Sequence, residues 1–354
     1  MPDIGKESLA SAGKGFFEDT ADVVVDTALL TENDWHKYRK MGIGGSDAGA
    51  IFNVSPWTSA YGLWLTKTGH PVKEEKIDVG KEFIFEYGHA MEPLVASIFK
   101  KITGFEVMID TYMYRHKKYP FMQANIDRVV ILPNGKKALL ECKTTTFFNK
   151  EAWENDNVPR YYKLQCQHYM AILDVDVCYI ACVYGNTIND FVCRRIDRNL
   201  DEEAELIAAE KDFWENYVME GVQPEFSTNG DIEKEAVLKT LPFGNKTKSV
   251  EIPKEYAENI KRYVELHTQR KHLESLVSDL NNEMGLLALP IMDYMGDAGK
   301  GYYNEDGAFY NITFSSRGRT DIDSKKLKLV YPEVYDEVCV KKEESCRPFS
   351  IKKR

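Results

Sequence analysis

Asp127, Glu141 and Lys143 stand at the ends of two apolar runs inside QANIDRVVILPNGKKALLECK, residues 123–143. Two carboxylates aimed at one point hold a hard divalent cation through oxygen, and a lysine two residues past the glutamate adds an ammonium on the same strand face. The chemistry this suggests is hydrolysis of a phosphodiester. A metal lowers the pKa of the attacking water, while Lys143 stabilises charge on the scissile phosphate or positions that water. Sharing a cation requires the carboxylates to share a sheet face, so the hairpin register decides the matter. A two-residue turn at Asn134-Gly135 pairs Asp127 with Cys142 and sends the carboxylates to opposite faces. A three-residue loop of Pro133, Asn134 and Gly135 pairs Asp127 with Glu141, with proline at the first central position of a type I turn and glycine in the left-handed slot. The second register is expected. A surface hairpin with solvated charges is the competing reading, because a D…ExK spacing is a weak motif alone.

A second constellation lies upstream. The glycine-rich run GIGGSDA, residues 42–48, opens a helix with Ser46 or Asp47 at its N-cap, and exposed N–H groups there make a phosphate cradle. Arg39 precedes Ser46 by seven residues. Asp47 would repel a phosphate, so it is assigned to capping the helix or pairing with arginine. His89 stands three residues before Glu92 on one helical face, within reach of the same cation. It reads equally well as a hydrogen-bonded helix residue, with Pro93 distorting the turn.

Five segments resemble, in order and content, the YqaJ-like viral recombinase family of the lambda exonuclease group. They are RKMGIGGSDAGAIF from Arg39, SPWTSAYGLWLTKTG from Ser55, GHAMEP from Gly88, the core from Asp127 to Lys143, and PRYYKLQCQHYMAIL from Pro159. The resemblance implies a PD-(D/E)xK, restriction-endonuclease-like α/β core, a central mixed sheet flanked by helices. It further implies a Mg2+-dependent exonuclease, with Mn2+ as substitute, that degrades the 5′ strand of double-stranded DNA ends and leaves 3′ tails for a single-strand annealing recombinase. Relatives of this kind form rings, so a homo-oligomer is implied as well. Residue by residue, Glu92 in the GxxxE position joins Asp127 and Glu141 as metal ligand, with the backbone carbonyl of Cys142 as a further donor. Gln165 would orient Lys143 or the water, and Arg39 with Ser46 would take the terminal 5′-phosphate. Two other readings stay open: a site- or structure-specific endonuclease, in which Arg39 and Ser46 merely cap a helix, and a DNA-binding or assembly protein without turnover.

The chain that must position these groups has 354 residues, 43% hydrophobic and 29% charged, enough for one large domain or two ordinary ones. No run approaches the ~18 uncharged apolar residues of a membrane span, and the start lacks the apolar region of a signal peptide, so a cytoplasmic location is expected. Seven cysteines, an odd number, lie mostly in apolar text and read as reduced core residues. No cysteine precedes Cys142 and no CxxC occurs, which sets aside a four-cysteine iron–sulfur cluster. A net charge of −10 counts against broad DNA coating but not against one channel lined by basic groups.

Periodicity predicts a loose arm over 1–30, the nuclease domain over 31–221, a linker or extended wrap over 222–250, and a C-terminal extension over 251–354 with a long helix and small β elements. Within the domain, helices are expected over 34–70 and over 80–103, the latter burying Phe83, Tyr87, Leu94, Ile98 and Ile102. A helix from Pro159 to Leu173, strands from Cys178 to Ile196, and an acidic helix from Asp201 to Glu220 complete an αβββαβ order. From Lys254 to Leu287 a heptad-like seam is broken at Arg270; packing on its own domain and an intermolecular coiled coil both remain open. Arg317, Arg319, Lys325, Lys326 and Arg347 read as a solvated basic face, with contact to a DNA backbone as the alternative.

Overall fold

The computed structural model describes residues 15–72, 79–226, 230–242, 248–316, 318, 320–339 and 349–351, and divides the chain into a unit ending at Leu241 and a second from Pro242. Arg317, Arg319 and Arg347 lie outside the described residues, as do 1–14 of the expected arm. In chain order the first unit contains β1 (Ala21–Asp26), α1 (Glu32–Lys40), β2 (Ile43–Gly44), α2 (Gly45–Ile51), α3 (Ala60–Thr68), α4 (Val79–Thr103), β3 (Glu106–Met108), β4 (Tyr112–His116) and β5 (Met122–Asn125). It continues with β6 (Arg128–Ile131), β7 (Lys137–Thr144), α5 (Arg160–Leu173), β8 (Val177–Val183), β9 (Phe191–Asp197), α6 (Leu200–Asp212) and α7 (Gly230–Thr240). The second unit holds α8 (Ala257–Met295), the antiparallel hairpin β10 (Lys300–Glu305) and β11 (Ala308–Thr313), α9 (Ser324–Val330) and α10 (Pro332–Val338). The long helix and small sheet expected of the C-terminal extension are both present.

The central sheet has the order β3-β6-β7-β8-β9 and is mixed, because β7 and β8 run parallel while the other pairs are antiparallel. A parallel pair needs a crossover, which α5 supplies. On one face α4 packs Val95 and Phe99 against Val130, Leu140 and Ala181. On the other, α5 packs Cys166, Met170 and Leu173 against Val129, Leu139 and Ile180. Strand β7 is therefore covered on both faces and reads almost continuously apolar, which makes Glu141 inside it conspicuous. In sequence the sheet and its covers run α4, β3, β6, β7, α5, β8, the αβββαβ order expected of this core. The smaller sheet, β1-β4-β5-β2, combines β4 and β5, which lie between β3 and β6 in sequence, with β1 and β2 from upstream, and β2 pairs parallel with β5 to bring Gly44 beside Gln123.

Three expectations need correction. Residues 21–26 are not a loose arm: β1 pairs antiparallel with β4, and Phe17 is buried edge-on against Tyr114 at 5.7 Å. A six-residue ADVVVD run is too short to declare a period, and only its tertiary partner fixes it. Along α4, Phe83, Tyr87, Leu94 and Ile102 are exposed, and the buried line is Val95, Ala96 and Phe99 instead. Apolar residues at 94, 95, 96, 98, 99 and 102 fit two helical phases, and the sheet selects one of them. The expected linker over 222–250 contains α7, whose Ala236 is buried and whose Glu233 accepts a hydrogen bond from Ser59 Oγ at 2.9 Å, so the first unit reaches Leu241.

Candidate active site

The hairpin register is the one that sets the carboxylates together. Arg128 faces Leu140 and Ile131 faces Lys137, so continuing past the start of β6 sets Asp127 opposite Glu141. Leu132 N–H donates to Lys136 O at 2.9 Å, Gly135 N–H donates to Leu132 O at 2.8 Å, and Gly135 takes φ +78°. The loop is thus Pro133, Asn134 and Gly135, with glycine in the left-handed slot. A side chain at that φ costs about 1–2 kcal/mol. Gly135→Val is expected to lower stability by at least that much in urea unfolding, because β-branching adds to the strain; an unchanged midpoint would contradict the turn geometry.

Strand parity then distributes the chemistry. Odd positions, with Leu139, Glu141 and Lys143, face α5, whereas Arg128, Leu140 and Cys142 face α4. Glu141 is buried, and its Oε1 accepts from Lys143 Nζ at 2.5 Å and from Gln165 Nε2 at 2.6 Å. Gln165 also donates to the Tyr169 hydroxyl at 3.2 Å, and the Lys143 ammonium lies 4.9 Å from the centre of the Tyr162 ring. Asp127 Oδ2 accepts from the Cys142 N–H at 2.7 Å.

The electrostatics are those of like charges gathered out of water. Burial, then the neighbouring Glu141, pushes the Asp127 carboxyl well above its ordinary range, against the pull of Lys143. Burial also raises Glu141, and Lys143 only partly offsets it. For Lys143, burial favours the neutral amine, but Glu141 and Asp127 together outweigh it and hold the ammonium charged. Burial and the same carboxylates push the Cys142 thiol up, so it stays protonated and is no nucleophile.

Glu92 lies on α4, on the far side of the strands, and is engaged by the Arg128 guanidinium, which also donates to Asp127 O at 2.5 Å. Its charge is nonetheless felt by Asp127 and Glu141. Among the described residues, no group of three His, Cys, Asp or Glu side chains is arranged to hold a metal ion by itself. His89 is exposed on α4, and no described contact joins it to the carboxylates. The donors that do converge, the half-buried Asp127 and the buried Glu141, fit a hard cation: both offer carboxylate oxygens whose raised proton affinity a divalent charge would relieve.

The second constellation also assembles, with a different cap. Gly44, not Ser46 or Asp47, is the N-cap of α2, and Asp47 at the third helical position accepts from the Gly44 N–H at 2.9 Å. The glycine pair permits close packing, because a Cβ on Gly44 would sit 2.6 Å from Arg39 Nη1 and one on Gly45 2.6 Å from Tyr169 Cε1. Arg39 donates to the exposed Ser46 hydroxyl at 2.9 Å and to Asp47 at 3.3 Å. The buried Lys67, which sequence reasoning passed over, binds Asp47 at 2.7 Å and the Arg39 carbonyl at 2.8 Å. Arg39 and Lys67 both face Asp47, and the buried Glu210 is near enough to act on Lys67 as a second carboxylate.

Burial disfavours the Asp47 charge, yet Arg39 and Lys67 more than compensate, and its carboxyl is held below the ordinary range. A depressed carboxylate stabilises the fold above its unfolded pKa, and that contribution is lost as pH falls through the folded value. Asp47→Asn should therefore destabilise the protein at neutral pH, with the deficit closing below about pH 4. Urea midpoints across that range check it, and a deficit that does not change with pH would contradict it.

Sequence reasoning also missed Arg128 and the burial of His168. Parity puts Arg128 on the face opposite Asp127, and the packing of α4 on that face sets it beside Glu92. His168 is fully buried between Glu210 Oε1 at 2.7 Å and Gln123 O at 2.9 Å.

A carboxylate pair, one member buried and one half-buried, with an adjoining lysine on a mixed sheet covered by a helix on each face, defines a PD-(D/E)xK-type core. The sequence profile of the YqaJ-like viral recombinase domain matches residues 34–176, which span Arg39, Glu92, the carboxylates and Gln165. The uncharacterized protein YqaJ of Bacillus subtilis (strain 168) is 33% identical over 336 residues, covering 94% of this chain and 98% of that protein. The chain belongs to the YqaJ-like viral recombinase family. Among solved structures, an alkaline exonuclease (LHK-Exo) from Laribacter hongkongensis is similar with a TM-score of 0.44 and 17% identity, over 58% of this chain and 98% of that one. A phage-related exonuclease from Haemophilus somnus 129PT is similar with a TM-score of 0.37 and 16% identity, over 53% and 99%.

Proposed function

We propose that this chain is a Mg2+-dependent deoxyribonuclease that degrades one strand of duplex DNA from its 5′ end, leaving 3′ single-stranded tails for an annealing recombinase in the cytoplasm. The observation that carries the reading is the convergence of Asp127, Glu141, Lys143 and Gln165 on one buried face. Holding such charges out of water costs stability, and hydrolysis of a phosphodiester is a function this set fits that accounts for its being kept.

Asp127 and Glu141 would hold the cation, and the Cys142 carbonyl is a candidate third donor. In an extended strand the N–H and C=O of one residue point to the same side, and the Cys142 N–H points at Asp127. A bound Mg2+ would supply a water of lowered pKa and offset phosphate charge. Lys143 stays charged at the pH of the cell and neutralises negative charge gathering on the scissile phosphate. Gln165 fixes the Glu141 carboxylate and thereby the lysine paired with it. Glu92 would join the donors only after leaving Arg128, and His89 would have to turn inward.

Arg39 and Ser46 would take a terminal 5′-phosphate, and Tyr169 links the two constellations: it packs against Gly45 and bonds Gln165. A fixed spacing between end phosphate and cleavage point would impose direction. Digestion of linear duplexes bearing 5′-phosphate or 5′-hydroxyl ends, alongside closed circles, tests this. Phosphorylated ends are expected to be degraded fastest and circles to survive. Equal cutting of circles would replace the exonuclease reading with an endonuclease.

A further inference from the structure

We infer that Trp57 is a base-stacking residue, an indole platform on which an unpaired nucleobase lies beside the scissile phosphate of the strand entering the active site. The inference rests on the nuclease reading and adds to it a contact that carries no charge. Of the five tryptophans, Trp64 and Trp153 are buried and Trp35 and Trp214 half-buried, whereas Trp57 is 65% exposed. An indole left in water forgoes the large apolar burial that a tryptophan can give the fold. Exposure of a single apolar residue is common, so its position carries the argument.

That position is beside the chemistry. The Trp57 ring lies 4.9 Å from the Tyr161 ring at an interplanar angle of 77°, and 6.1 Å from the Tyr162 ring. The Lys143 ammonium lies 4.9 Å from the centre of that Tyr162 ring. Two ring contacts thus lead from solvent to the lysine, whose side chain is 20% exposed. A strand that brings a phosphate down to this recessed ammonium carries its adjoining bases out of their pairs and past the indole. The short path to Lys143 favours a nucleobase over a protein partner as the occupant.

The ring is also fixed before any ligand arrives. Pro56 stiffens the backbone ahead of it, and the buried Ser55 hydroxyl accepts from the N–H groups of Trp57 and Thr58, at 3.2 and 3.3 Å. Ser55 N–H donates to Gly49 O at 2.9 Å, and α2 approaches α5 so closely that a Cβ on Gly49 would lie 2.9 Å from Tyr161 Cβ. The loop from α2 to α3 therefore holds the indole against the helix that carries Gln165. A pre-ordered ring loses little freedom on stacking, and every base offers a π-face, so the contact does not depend on sequence. For a chain of net charge −10, it supplies affinity that needs no further lysine or arginine.

Abasic DNA tests the stacking directly. A 5′-phosphorylated duplex with an abasic nucleotide at one of the first few 5′ positions is compared with the intact duplex, for the wild type, Trp57→Phe and Trp57→Leu. Binding is followed by anisotropy in excess chelator, and cleavage by single turnover in Mg2+. One abasic position should weaken wild-type binding by about tenfold, and Trp57→Leu should lose the same factor on intact DNA with no further loss at that position. Trp57→Phe should fall between the two. The factor should reappear in the protein concentration that half-saturates cleavage, and it should be equal at low and high salt, because stacking releases no counterions. Quenching of tryptophan fluorescence by intact DNA should shrink in Trp57→Phe. Wild-type indifference to every abasic position, or losses that simply multiply when Trp57→Leu meets the abasic strand, would overturn the stacking contact. So would a Trp57→Leu chain that binds DNA normally. A wild type that binds as described but cuts no DNA in Mg2+ would overturn the nuclease reading and leave the stacking contact standing.

Discussion

Lys143→Ala is expected to lower DNA cleavage by about 10²- to 10³-fold while leaving cation binding in place. The ammonium is held charged by Glu141 and Asp127, and it sits 2.5 Å from the Glu141 oxygen. It therefore acts as a counter-ion of the carboxylates, and a cation held by Asp127 and Glu141 would take over that part and leave the lysine for the phosphate. Removing it strips charge from the transition state without removing a ligand. The variant should bind Mg2+ at least as tightly as the wild type, because one competitor for Glu141 has gone. Single-turnover digestion beside calorimetry separates the two effects. Loss of both together would recast Lys143 as a support for the metal site, and full activity would remove it from the chemistry.

Arg39→Ala is expected to erase the preference for 5′-phosphorylated ends. A charge-assisted hydrogen bond is worth about 1.5–3 kcal/mol, so one lost contact weakens end engagement by roughly tenfold or more. The arginine is well placed for this effect, lying over Gly44 and bonded to the exposed Ser46, with Asp47 and Lys67 fixing its backbone and head. Slow cutting of hydroxyl-ended duplex should persist, since Asp127, Glu141 and Lys143 are untouched. Equal rates on the two ends in the wild type would remove the anion corner from function. A loss on both ends alike in the variant would mean that Arg39 supports the fold of α2 instead.

Much of the site was legible because it depends on local rules. Pro133, Asn134 and Gly135 set the loop length, the loop set the register, and period-two alternation carried Asp127 and Glu141 to one side. What depends on distant partners was not legible. Arg128 meets Glu92 only because α4 covers the even face of β7, and no spacing in the sequence announces which helix covers which face. The phase of α4 was misjudged for the same reason: two apolar stripes overlap between Leu94 and Ile102, and the sheet buries Val95 and Phe99. The N-cap of α2 is expected at a side chain that accepts hydrogen bonds, whereas Gly44 takes it, and a Cβ there would push the Arg39 guanidinium off its place over the turn. The burial of His168 was not legible for the same reason, because its partners Glu210 and Gln123 lie some forty residues away on either side.

The most direct test of the central claim is Mg2+ titration of the wild type and of Asp127→Asn with Glu141→Gln, each followed by digestion of linear duplex with and without excess chelator. The wild type should bind the cation and cut only in its presence, and the paired amide variant should neither bind nor cut while remaining folded. Cleavage by the wild type in excess chelator, or cation binding undiminished in the amide variant, would contradict a metal-dependent nuclease built on these two carboxylates.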